Sequence, residues 1–186
     1  ELPLRSEVAE KDTWNLKPMF ESDAAWNEEY SAIEKQLEEV ASYQGTLGKS
    51  AEALLAGLKF RDELSFRLEV LYIYAHLSFD VDTTNPTYQA MNGRVQTLAA
   101  KFSSSFSFYN TEILAVDEST IRGYIESNDA LKLYTHDFER LFKSRAHILS
   151  DQEERVLSSA GEIFNVPYTT FGMINNADIQ FPSIQA

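Results

Sequence analysis

Leu64-Ser65-Phe66-Arg67-Leu68-Glu69-Val70-Leu71-Tyr72-Ile73-Tyr74-Ala75-His76-Leu77-Ser78-Phe79 decides the fold class. Leu64, Leu68, Leu71, Ala75 and Phe79 recur at steps of four, three, four and four, the spacing that lines one face of an α-helix. Phe60, Phe66, Tyr72, Tyr74 and Leu77 widen the apolar arc, so this helix is expected to lie between two others. Ser50 is placed to cap its start, and Gly57 to interrupt or kink it.

Upstream, Ser22 and Asp23 open a helix whose Trp26, Tyr30, Ile33, Leu37 and Val40 step by 4, 3, 4 and 3, the narrow seam two packed helices share. Gly45 and Gly48 end it. Residues 1–21 read as irregular, broken by Pro3 and Pro18, with Trp14 and Leu16 as anchors on the bundle. Downstream, Asn85-Pro86 is a strong start signal, because Asn accepts from orphan amides and Pro loses nothing at the first helical position. Met91, Val95, Leu98, Phe102, Phe106 and Tyr109 then carry a third long stripe. Ser and Phe alternate near its end as in a strand, but the helical register on both sides outweighs that signal.

Shorter helices follow. Asp117 caps one over Ile121, Tyr124 and Ile125, and Asn128-Asp129 opens one with Leu131, Tyr134, Phe138, Leu141 and Phe142. Ser150-x-x-Glu153 forms a capping box ahead of Val156, Leu157 and Ala160. Gly161 is read as a stop, and Pro167 as the start of a last short helical turn. The expected fold is all-α: a helical bundle of three long antiparallel helices followed by several short helices, with an extended C-terminal segment. The change of scale suggests residues 1–116 as a long-helix bundle and 117–186 as a short-helix subdomain.

The C-terminal segment, Asn175-Asn176-Ala177-Asp178-Ile179-Gln180-Phe181-Pro182-Ser183-Ile184, runs from a polar turn into alternating apolar residues that need a sheet or groove. Upstream there is no second strand of comparable strength. Ile179, Phe181 and Ile184 are therefore expected to dock against a part of the protein that lies elsewhere, since an unpaired edge is poorly tolerated. The chain begins at Glu1 rather than Met, as expected of a cut or processed start.

The 186 residues, 44% hydrophobic and 24% charged, fit one domain or two small helical subdomains of an ordinary globular protein. A net charge of −13 argues against nucleic acid and anionic membranes, which need a basic surface. Without cysteine there is no disulfide framework and no thiolate zinc site, which fits a cytosolic protein. Acidity is densest between Glu21 and Gln44. That run reads as a solvated helix face, with a docking face for basic peptides as the alternative.

Three polar motifs invite sharper readings. Gly45-Thr46-Leu47-Gly48-Lys49-Ser50 ends like a phosphate loop, but Tyr43 stands where that loop needs its first Gly, and no strand precedes it. Asp80-x-Asp82-x-Thr84 starts like a calcium loop, yet Asn85 and Met91 replace the required Gly and Glu. His136 and Glu139 share a helix face, but a metal site needs more ligands than one such pair. His76 reads as a satisfied or rim histidine and His147 as a loop or helix-end residue. No catalytic residue and no metal ligand is assigned.

Several ordered signals resemble the N-terminal region of oligoendopeptidase F-type peptidases, zinc metallopeptidases of the thimet oligopeptidase class. They are Trp14-Asn15-Leu16, Ser22-Asp23-x-x-Trp26, Gly45-x-Leu47, Asp80-x-Asp82-Thr83, and Asn85-Pro86-x-Tyr88-Gln89. His147-x-Leu149-Ser150-x-x-Glu153-Glu154 and Asn175-Asn176-Ala177-Asp178 with Phe181-Pro182 complete the series. Asn15 departs from the family's usual Asp, which weakens a capping or salt-bridge role there. The resemblance implies zinc in the full-length enzyme, held by a His-Glu-x-x-His helix and a later Glu, none of which maps onto this sequence. It implies a non-catalytic helical domain that forms part of a substrate-channel wall. Its partners would be the C-terminal catalytic domain and, in the whole cytoplasmic enzyme, short peptides. A self-contained helical interaction module is the alternative.

Overall fold

The computed structural model describes residues 7–145, 151–175 and 179, and all regular structure among them is helical. Two compact units emerge, Glu1–Phe142 and Lys143–Ala186.

In the first unit, α1 (Asp23–Gln36) starts at Ser22, whose hydroxyl accepts from the Ala25 N–H at 3.2 Å. This satisfies one of the donors a helix start leaves open. The apolar seam outlasts the α-helix and continues through a 3-10 segment, Leu37–Tyr43. There, the step of three from Leu37 to Val40 suits a helix with three residues per turn. All five seam residues are buried, Trp26 and Ile33 completely. Gly45, at φ +75°, then turns the chain through the left-handed region that side chains oppose.

The 31-residue α2 (Ala51–Val81) is capped by Ser50, which accepts from the Ala53 N–H at 3.2 Å. Leu64, Leu68, Leu71 and Ala75 are buried on it, and Phe79 is half-buried. Gly57 does not interrupt it but permits a close approach. A Cβ there would lie 2.4 Å from Leu47 Cδ2, and the Gly57 carbonyl accepts from the Tyr109 hydroxyl at 3.1 Å.

Asn85 opens α3 (Pro86–Ser105), accepting from the Thr87 and Tyr88 amides at 2.9 and 3.4 Å. The Ser/Phe alternation is helical through Ser105; a turn at residues 106–107 separates it from α4 (Phe108–Ala115). Then come α5 (Glu118–Ser127), a 3-10 segment (Asp129–Tyr134) where an α-helix opening was read at Asn128-Asp129, and α6 (Thr135–Ser144).

Side-chain pairs fix the helix directions. Asp23 meets Tyr74 and Glu29 meets Arg67, so α1 and α2 run antiparallel. Asn27 meets Arg94 and Glu34 meets Lys101, so α1 and α3 run parallel. As expected, α2 is central, packing against α1, α3, α5 and the second 3-10 segment.

Ile121, Leu131, Tyr134 and Phe138 of the short elements share one buried core with the long helices. The expected boundary at Asp117 therefore falls inside the first unit. Trp14 does not anchor the bundle; it is 70% exposed, whereas Leu16, Met19 and Phe20 pack against the core. Asn15 closes a local turn without a carboxylate, because its Oδ1 accepts from the Lys17 N–H at 3.2 Å.

The second unit contains α7 (Asp151–Met173), a 23-residue helix. Gly161 and Pro167, expected as a stop and a start, both lie inside it. Proline has no N–H to offer the Ile163 carbonyl one turn back, a local defect that the longer helix tolerates. The Ile179 N–H donates to the Ile174 carbonyl at 2.9 Å, a widened i to i+5 closure. The capping box at Ser150, and all of the C-terminal segment except Asn175 and Ile179, lie outside the described residues.

Candidate functional site

The polar motifs turn out to be internally engaged. The Glu112 carboxylate accepts from the Gly45 and Leu47 N–H groups, both at 2.7 Å, and the Tyr124 hydroxyl donates to the Gly48 carbonyl at 3.0 Å. The turn that resembles a phosphate loop thus holds the protein's own carboxylate where an anion would sit. Asp82 accepts from the Thr84 amide and hydroxyl, at 3.1 and 2.7 Å, closing a helix–helix turn. His76 stacks on Tyr72 and lies 3.5 Å from Asp80 across one helical turn, an exposed rim arrangement. His136 is exposed, and His147 lies outside the described residues. Among the described residues, no group of three or more His, Asp or Glu could hold a metal ion. None of the described helices is long and apolar enough to cross a membrane.

The acidic run of α1 is more than a solvated face. Glu29 pairs with Arg67 at 2.5 Å and Glu34 with Lys101 at 2.5 Å, each joining α1 to another helix. The hydrogen bond that Arg67 donates to Glu29 holds its guanidinium above its ordinary range. Asp23 accepts from the Tyr74 hydroxyl at 2.9 Å, and burial followed by that bond pushes the phenol up to about 12. Tyr134, bonded to Asp62 at 2.7 Å, is likewise raised to about 12, mainly by burial. These groups hold the bundle together and are not poised for proton transfer.

What stands out is apolar. On α7, Phe164, Tyr168 and Phe171 are 67, 79 and 66% exposed. Leu157, Ile163, Val166, Met173 and Ile174 are exposed too, and none of the described side chains of this helix is buried. Leu157, Phe164, Tyr168 and Phe171 share one stripe at spacings of seven, four and three. Ile163 and Ile174 lie to one side of it, and Val166 on the opposite face. From Ile163 to Asn175 the sequence carries no charge. A helix apolar around most of its circumference belongs in an interior, so this one lacks its cover. Of the three expected docking residues, Ile179 is 44% exposed just beyond this helix, whereas Phe181 and Ile184 lie outside the described residues. Sequence reading missed the larger surface because it divided α7 at Gly161 and Pro167. The uncharged run from Ile163 was the signal available.

The family model described as Oligopeptidase F matches residues 112–181, spanning α5 to α7 and most of the terminal segment. Oligopeptidase PepF of Bacillus subtilis is 40% identical over 185 residues, which are 100% of this chain and 28% of that protein. The chain is an N-terminal segment of the oligoendopeptidase F family. Group B oligopeptidase PepB of Streptococcus agalactiae is 36% identical over 97% of the chain and 30% of its own length. The crystal structure of oligoendopeptidase-F from Enterococcus faecium superposes with a TM-score of 0.76 at 36% identity, covering 88% of this chain and 32% of that one. The chain thus spans about 30% of the length of the curated relatives it matches. The self-contained module is not favoured, since the similarity runs through almost every residue of the chain and stops short in the relatives.

Proposed function

We propose that this chain is the non-catalytic, channel-wall part of a zinc oligoendopeptidase that hydrolyses short peptides. On this reading α7, with Ile179, Phe181 and Ile184, docks the catalytic part of the enzyme. The uncharged, exposed surface of α7 is the observation that carries the docking role. Its composition matches the charge-depleted core of a permanent interface. The His-Glu-x-x-His helix and the later Glu that would bind zinc and activate its water belong to the catalytic part. Residues 1–186 would supply shape and surface to the channel, in a cytoplasmic enzyme. The long helices and the short elements that share their core would give the wall its rigidity, and α7 with the residues after it would lead to the catalytic part.

The coding sequence beyond Ala186 tests this directly. A downstream His-Glu-x-x-His followed by a helical Glu is expected, together with chelator-sensitive cleavage of a quenched-fluorescent peptide by the longer protein. A stop codon there, or a longer protein without peptide hydrolysis, refutes the reading.

A further inference from the structure

A second exposed apolar strip lies on α2, and its chemistry differs from that of α7. Phe66, Val70, Ile73 and Leu77 fall at i, i+4, i+7 and i+11, one face of the helix. Phe66 is 66% and Ile73 36% exposed, with Val70 and Leu77 half-buried between and beyond them. The same face is covered nearer the start of α2. There Leu55 packs on the core and Asp62 accepts from Tyr134 of the second 3-10 segment. The strip continues that established interface, but nothing among the described residues of the first unit extends over it.

The rim of the strip is acidic. Glu63 and Glu69 stand exposed on its two sides and Asp80 at its end, with the stacked Tyr72 and His76 beside Glu69. The nearby cations Arg61 and Arg67 are engaged with Asp62 and Glu29. The rim of α2 is therefore net negative, in a chain of net charge −13. Such a polar, solvent-accessible border is what a contact surface carries around its apolar core, and it keeps the strip hydrated while empty. Phe66 to Leu77 spans roughly 16 Å at 1.5 Å per residue. That is the length of about five residues of extended chain. One side chain in width, the strip suits a single peptide better than a domain face.

We propose that the outer face of α2 from Phe66 to Asp80 is a reversible contact surface for short, extended peptides that alternate apolar with cationic side chains. The proposal rests on the channel-wall reading above and names the part of the wall, and the peptide chemistry, that meet. Apolar side chains lie along Phe66, Val70, Ile73 and Leu77, while lysine, arginine or a free amino terminus approaches Glu63, Glu69 and Asp80.

The test is a titration of the isotope-labelled 186-residue chain with the synthetic peptide Leu-Lys-Phe-Lys-Leu, and with the same peptide carrying Glu for both Lys. Amide shift changes concentrated at residues 63–80 are expected, with binding at least fivefold weaker for the acidic peptide. Phe66→Ser is expected to weaken binding at least fivefold without altering thermal unfolding, because this ring is exposed. Shifts centred elsewhere, no binding, or equal affinity for the two peptides overturns the proposal. In the longer protein, Phe66→Ser should raise KM for the cationic peptide with kcat unchanged. Detachment of the catalytic part by that substitution would instead make the strip a domain contact and overturn the proposal. Failure of the channel-wall reading is seen separately, as a longer protein that hydrolyses no peptide at all.

Discussion

α2 and α7 are both long and both greasy, yet they have opposite relations to water. Along α2, Trp26 donates its indole N–H to the Leu71 carbonyl at 2.9 Å, and Leu64, Leu71 and Ala75 are almost completely excluded from solvent. On α7, Phe164, Tyr168 and Phe171 each keep about two thirds or more of their surface in solvent. The difference teaches that apolar content alone does not place a helix in a core. α2 finds its partners within the first unit, from α1 at Asp23 to the second 3-10 segment at Tyr134. The side chains described on the charge-free half of α7 are left largely exposed. Substitutions that treat the two helices alike should therefore separate them in experiment.

The largest effect is expected at Trp26. Trp26→Ala removes a fully buried ring that stacks on Tyr30 and bonds to α2, with Arg94 lying 5.2 Å over it. Cavity formation of this kind costs about 3–5 kcal/mol. Denaturant unfolding of the 186-residue chain should register it as a large fall in midpoint. An unchanged midpoint would break the contrast, since α2 would then be no better supported than α7.

Gly57→Ala comes next. In an exposed helix the change would stabilise by about 1 kcal/mol through propensity. Here the new Cβ meets Leu47, which is itself completely buried, 2.4 Å away. Overpacking of about 1–3 kcal/mol should outweigh the propensity gain. The same substitution at Gly172 of α7, where a Cβ meets nothing within 4 Å, should not destabilise. Paired thermal melts of the two variants sharpen the comparison, and a stabilised Gly57 variant would contradict the close approach of the 43–47 turn.

Much of the first unit was legible because its partners are in the same stretch of chain. The 4-3-4-3 seam from Trp26 to Val40 and the caps at Ser22, Ser50 and Asn85 all follow from spacing and local hydrogen bonding. Other features depend on distant contacts and leave no local trace. Glu112 reaching the amides of Gly45 and Leu47 joins residues more than sixty positions apart, and Gly57 looks like a kink until Leu47 and Tyr109 are seen against it. The continuity of α7 was hidden for a different reason. Gly161 and Pro167 are strong local breakers, and the helix that overrides them carries an apolar surface along its later half. Trp14 shows the converse: a large apolar ring near a core need not enter it.

A smaller effect is expected at high pH, and it arises in the first unit. Tyr74 and Tyr134 have folded-state pKa values raised from 10.0 to about 12, so the folded state favours their protonated forms. Their contribution is complete below the unfolded value near 10 and is lost as pH rises from there through about 12. Unfolding midpoints measured across this window should fall. The double substitution Tyr74→Phe with Tyr134→Phe should flatten the fall while lowering stability at neutral pH, since the bonds to Asp23 and Asp62 go with the hydroxyls.

The smallest effect on the chain's own stability should come from the residue with the most consequence for assembly. Phe164 is 67% exposed, so Phe164→Ser removes little that folding buries. Its effect on unfolding of the 186-residue chain should stay within about 0.5 kcal/mol, the range of surface substitutions away from special features. If α7 is one side of a permanent interface, the same substitution in the longer protein should loosen the catalytic part and lower activity. Hydrogen exchange along residues 157–175 reads this directly: weak protection in the 186-residue chain, strong protection in the longer protein, and loss of that protection in the Phe164→Ser variant. The opposite pattern, strong protection of α7 in the isolated monomeric chain, would mean that its cover is already present. The contrast with α2 would then vanish, and with it the reason to assign α7 to docking.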